Sequence, residues 1–93
     1  MTEKKVLVID PVGLHARPAT VAVSAASKLK GYKVTVSYNG RSVDMKSIMG
    51  VMSLGIPTQS EIVITVDGED EETALNTILE TLVNQKVIEA QAE

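Results

Sequence analysis

Hydrophobic and polar residues follow two different periods along this chain, and the switches between them mark its elements. Residues 4–9 are rich in β-branched side chains and run into Asp10-Pro11, a turn signal, which predicts a first strand. From Ala16 the period becomes helical. Ala19, Ala22, Val23, Ala26 and Leu29 share one broad face, Thr20, Ser24, Ser27 and Lys28 the other. Pro18 falls in the first turn, where a helix tolerates it, and Gly31 is the expected stop after Lys30, so a helix opens at or just after His15. Residues 32–38 then alternate, with Tyr32, Val34, Val36 and Tyr38 on one face. Asn39-Gly40 is a strong hairpin signal, and Arg41 to Met45 is the returning strand. A short helix is expected between Ser47 and Ser53, with Ser47 as N-cap and Gly55 beyond its end. Residues 61–67 alternate again through Ile62, Ile64 and Val66 up to Asp67-Gly68. A final helix buries Ala74, Leu75, Ile78, Leu79, Leu82 and Val83, and Asp70, Glu71 and Glu72 complement the positive end of its dipole. Beyond Val87 the chain is expected to fray.

The order β-α-β-β-α-β-α predicts an α+β fold, a two-layer sandwich of four strands with helices on one face. The pattern alone equally suits a ferredoxin-like split sheet, so function has to be read from sites. At 93 residues the chain is a single domain over 1–93, with no linker or repeat.

Composition narrows the chemistry. There is no Cys and one His, which removes disulfides, thiolate sites and multi-histidine metal centres, and no Asp/Glu spacing suggests a carboxylate site, so no metal is expected. The longest apolar run is Val6-Leu7-Val8-Ile9, far short of the ~18 residues of a membrane span, and no secretory apolar region follows the first residues. A cytoplasmic protein with no membrane partner is expected. The net charge of −3 is uneven: residues 1–60 carry eight basic against three acidic groups, residues 61–93 one against nine. A functional surface on the first part would favour an acidic or phosphorylated partner. With two Tyr and no Phe or Trp, the stacking surface of a single-strand nucleic-acid binder is missing.

The segment Gly13-Leu14-His15-Ala16-Arg17-Pro18-Ala19 sets the only His at a helix N-terminus, with an Arg two residues on. Helix N-termini present unpaired N–H groups and partial positive charge, and so accept anions and phosphate. A neutral imidazole is a nucleophile. If His15 attacked a phosphoryl group, the transferred oxygens would lie against the N–H groups of Ala16 and Arg17, and the Arg17 guanidinium could pair with them. The residues taken by themselves fit equally an incidental N-cap His beside a solvated Arg. A Ser-His-Asp hydrolase has no support, since there is no nucleophile elbow.

A second segment concentrates Ile48, Met49, Val51, Met52, Leu54 and Ile56 on an element barely two turns long. A helix so short cannot hide them all, which predicts an exposed docking patch of Ile48, Met49, Val51, Met52 and Leu54, against the alternative that the helix caps the core with every apolar group buried. A phosphate on Ser47 would suit the helix dipole and bring roughly −2 charge beside the patch.

Together, residues 13–19 and Lys46-Ser47-Ile48-Met49-Gly50-Val51-Met52-Ser53-Leu54-Gly55 closely resemble the HPr family, the histidine-containing phosphocarriers of the bacterial phosphoenolpyruvate:sugar phosphotransferase system. The resemblance covers nearly the whole chain. It implies an open-faced sandwich whose antiparallel sheet has order 1-4-2-3. It also implies that His15 accepts phosphate on Nδ1 from phosphorylated Enzyme I and passes it to IIA domains of sugar permeases, with Arg17 pairing with the phosphoryl group. Such a protein is a monomeric carrier without a cofactor, not an enzyme in the usual sense. Ser47 matches the serine that HPr kinase/phosphorylase modifies in the Gram-positive type, whose phosphorylated form is co-repressor to a catabolite-control transcription factor. A purely regulatory HPr-like paralogue would lack the His, which is present here. Position 12 is Val, where many relatives carry a small polar residue, so no hydroxyl from that position can contact His15.

Overall fold

A computed structural model describes residues 1–90. Its elements are β1 (Thr2–Leu7), α1 (Ala16–Ser27), β2 (Lys33–Tyr38), β3 (Arg41–Asp44), α2 (Ile48–Ser53), β4 (Glu61–Asp67) and α3 (Glu71–Asn84). The strands form one antiparallel sheet of order β1-β4-β2-β3, the order the resemblance implies and not a ferredoxin-like one. Ile62, Ile64 and Val66 of β4, Val34 and Val36 of β2, and Val6 of β1 are buried beneath the helices, while Thr35, Ser37, Val63 and Thr65 line the opposite, uncovered face. Each fully buried aliphatic side chain contributes about 1.5–3 kcal/mol relative to exposure. Small residues on α1, Ala19, Ala22, Ala25 and Ala26, are buried too, and let that helix lie close to its neighbours. Asn39 and Gly40 both have positive φ, 52° and 81°, which fits a two-residue turn of the mirror-image type that joins twisted strands.

The larger departures from the expected boundaries fall at three places. β1 begins two residues earlier and leaves the sheet after Leu7. The first helix stops at Ser27 rather than Lys30, because Leu29 N–H bonds Ala26 O in a tighter turn, and the ammonium of Lys46 takes the carbonyls of Leu29 and Tyr32 at 2.8 and 2.7 Å. The chain just beyond Val87 does not fray: Val87 and Ile88 are buried, Val8 forms a bridge with Ile88, and Glu89 N–H bonds Leu7 O at 2.9 Å, while the rest of the expected fraying tail, 91–93, lies outside the described residues. The cause is the way α3 ends. Lys86 adopts φ 62°, its N–H bonds Val83 O, and Val87 N–H returns to Leu82 O, a Schellman closure with Lys where Gly is usual. That turn folds Val87 and Ile88 back beneath the start of the chain. At the other end of α3, the Glu71 carboxylate accepts from the Met1 amine and from Gly68 N–H. The amine, then the Gly68 N–H, hold the Glu71 carboxyl below its ordinary range, and Glu71 raises the amine.

Candidate functional site

The loop from Ile9 to His15 is built from the backbone outward. Ile9 and Asp10 both donate N–H to Val87 O, at 2.9 and 3.4 Å, which ties the loop to the refolded C-terminal segment. Asp10 then organises a turn: its carbonyl accepts from Gly13 N–H at 2.9 Å and its Oδ1 from Val12 N–H at 3.1 Å. Gly13 has φ 74°, and a Cβ there would collide with the Ile56 carbonyl and lie 2.9 Å from Pro57 Cα. Only glycine fits without strain or displacement. Leu14 N–H bonds the same Ile56 carbonyl at 3.0 Å, and its side chain is buried. His15 is thereby delivered, half-buried, to the N-cap of α1.

That helix end is open. The imidazole makes no capping hydrogen bond, and the residue after it, Ala16, sits at φ 51°, in the left-handed region that non-glycine residues seldom occupy. Such a conformation costs on the order of 1–3 kcal/mol and persists only where its surroundings impose it. Pro18 contributes no N–H, so the leading donors are those of Ala16 and Arg17. The Arg17 side chain is more than half exposed, and its Nη2 contacts Asp10 Oδ2 at 3.5 Å and Gln85 O at 3.4 Å. Behind it a shallow groove between α1 and α3 is lined by Thr20, Ser24, Lys28 and Thr81. A group bonded to His15 would therefore stand on open surface, reachable by another macromolecule.

The second segment is closed where the first is open. Ser47 Oγ accepts from Gly50 N–H at 3.0 Å and caps α2. Ile48, Met49 and Met52 are 39%, 82% and 43% exposed and form an apolar patch. Val51 and Leu54, expected in that patch, are buried in the core, as is Ile56. The helical period separates the two sets: at about 100° per residue, positions 48, 49 and 52 fall within one arc and 51 and 54 lie opposite. Val12, 55% exposed on the neighbouring loop, adds a further uncovered apolar side chain and no hydroxyl. Sequence reasoning missed Asp10, Lys46 and Gln85 as supports of these segments. Asp10 carried a signal, as the first residue of an Asp-Pro turn; a backbone carbonyl at 85 carries none.

A family model described as the PTS HPr component phosphorylation site matches residues 2–84. Among solved structures, the histidine-containing phosphocarrier protein of Mycoplasma is 37% identical, covering 96% of this chain and all of its own, with a TM-score of 0.88. The phosphocarrier protein HPr of Bacillus anthracis is 40% identical over 86% of this chain and 94% of its own, with a TM-score of 0.78. HPr of Thermoanaerobacter tengcongensis, which has also been solved as a dimer, is 33% identical over 97% of this chain and all of its own, with a TM-score of 0.85.

Proposed function

This chain belongs to the HPr family of phosphotransferase-system phosphocarriers, and from that we propose that it accepts a phosphoryl group from phosphorylated Enzyme I on His15 and passes it to IIA domains of sugar permeases. The observation that carries the reading is the only His of the protein standing at an uncapped helix start beside Arg17. The lone pair of Nδ1 attacks phosphorus, the N–P bond forms as the bond to the donor breaks, and the donor keeps that electron pair. Arg17 and the N–H groups of Ala16 and Arg17 offset the charge of the phosphoryl oxygens. Onward transfer is the same exchange with the acceptor as attacking group. The protein supplies one nucleophile on open surface and does not turn over alone, so it acts as a carrier rather than a catalyst, as a monomer in the cytoplasm. No helix among the described residues is long and apolar enough to cross a membrane.

Ser47 is the proposed target of HPr kinase/phosphorylase, and the Ile48, Met49 and Met52 patch the docking surface for Enzyme I and, after serine phosphorylation, for a catabolite-control transcription factor. The place of half-buried Ser47 at a helix start supports this, since phosphate oxygens can take over the Gly50 N–H. Incubation with labelled phosphoenolpyruvate and Enzyme I tests the primary reading. Acid-labile label on the protein is expected. No label, or label only with ATP and kinase at Ser47, would replace the carrier with a purely regulatory protein.

A further inference from the structure

Among the described residues, Asp10 is the only polar or charged one that is buried, at 8% exposure. A carboxylate so far from water needs partners, and it has two: Val12 N–H on Oδ1 at 3.1 Å and Arg17 Nη2 on Oδ2 at 3.5 Å. The two ends of the ion pair differ in freedom. Asp10 is fixed by its own N–H on Val87 O, by its carbonyl on Gly13 N–H and by the Val12 bond. Arg17 is more than half exposed, and its contacts at 3.4–3.5 Å are longer than the ~2.7–2.9 Å of a strong charge-assisted bond. The guanidinium can turn; the carboxylate cannot follow it.

We propose that Asp10 is a positioning residue that shares Arg17 with the phosphoryl group of His15 and so keeps that group transferable. This rests on the reading that His15 carries the phosphoryl group and Arg17 pairs with it. A phosphoryl group brings roughly −2 charge two residues from Arg17 and draws the same cation that the fixed Asp10 already holds. Asp10 therefore weakens the grip of the site on the phosphoryl group, as a carrier that must release its cargo requires. An ion pair between an exposed guanidinium and a buried carboxylate at this length, taken at ~0.4–1 kcal/mol because the exposed partner is screened by solvent, corresponds to a factor of about two to five in the equilibrium.

The test is the equilibrium of phosphoryl exchange between Enzyme I and the full-length protein. Asp10→Asn keeps an oxygen for Val12 N–H and removes only the charge. It should shift the equilibrium toward the phosphorylated carrier by about two- to fivefold, and the shift should vanish in an Arg17→Ala background. An unchanged or reversed equilibrium overturns the proposal, as does a shift of full size without Arg17, which would mean that Asp10 acts on the phosphoryl group directly. If Asp10→Asn does not fold, the wild type decides: phosphorylation should move the Asp10 carboxyl carbon resonance as Arg17 turns away, and an unmoved resonance overturns the proposal. A wild type that takes no label overturns the carrier reading itself, whereas normal labelling with an unmoved Asp10 effect overturns this proposal alone.

Discussion

The starts of α1 and α2 meet the same physical problem in opposite ways. Every helix begins with N–H groups that lack a partner inside the helix. At α2 the problem is solved within the chain, because Ser47 folds its hydroxyl onto Gly50 N–H and the following turn is regular. At α1 it is left unsolved: His15 stands in the capping position without capping, and Ala16 is held at φ 51°. The difference separates an end finished by the fold from an end left free for the phosphoryl group proposed for His15. The two are also physically joined, since the Ile56 carbonyl, just past α2, holds Leu14 N–H and walls in Gly13.

The sharpest way to break the comparison is to remove each end in turn. His15→Ala should abolish acid-labile phosphorylation by Enzyme I and phosphoenolpyruvate, yet cost no more than about 0.5 kcal/mol of stability, because no capping bond is lost. Retained acid-labile label would move the acceptor elsewhere. Next in size is Gly13→Ala, which adds a Cβ against the Ile56 carbonyl in a left-handed conformation costing about 1–2 kcal/mol by itself. Denaturant unfolding should register a loss of about 2 kcal/mol or more, with phosphoryl acceptance falling as the His15 loop shifts. Stability equal to wild type would mean the loop is not clamped by Ile56 as described. Ser47→Ala should behave as the inverse of His15→Ala. It loses a real cap, about 1 kcal/mol and a fall of roughly 4–8 °C in Tm, while acceptance at His15 persists.

The strands and the starts of α1 and α2 were legible because local signals agreed with the fold: alternation in β2 and β4, Asn39-Gly40 at the hairpin, Ser47 as a capping residue; the order of the strands in the sheet followed only from the family resemblance. What was not legible depended on contacts distant in sequence or on residues in unusual roles. Ile88 and Glu89 read as a fraying end because the stop of α3 uses Lys86 in a conformation usually given to Gly. The burial of Val51 and Leu54 follows from their angular position on α2, opposite Ile48, Met49 and Met52, which the number of apolar residues in the segment does not reveal. The place of Arg17 two residues after His15 was legible, but its contact to the carbonyl of Gln85 arises only when the end of α3 lies beside α1, and its contact to Asp10 only when the loop before α1 folds back.

The smallest expected effect probes whether the closed end communicates with the open one by charge alone. In Ser47→Asp the new carboxylate can still accept from Gly50 N–H, since Asp caps about as well as Ser, so the fold and the support from Ile56 should persist. What changes is one negative charge beside Ile48, Met49 and Met52. If the surface of Enzyme I that docks there is acidic, as the basic excess of residues 1–60 favours, encounter is repelled while the attack by His15 is untouched. At a separation of about 8 Å in water the repulsion is roughly 0.5 kcal/mol, or about a twofold rise in apparent KM. The maximal rate should change less than KM, and the defect should shrink as added salt screens the charge. Phosphate, with nearly twice the charge, should enlarge the effect in the same direction. A defect confined to the maximal rate and indifferent to ionic strength would instead trace the coupling through the Ile56 carbonyl to the Gly13–His15 loop, making the link between the two helix starts mechanical.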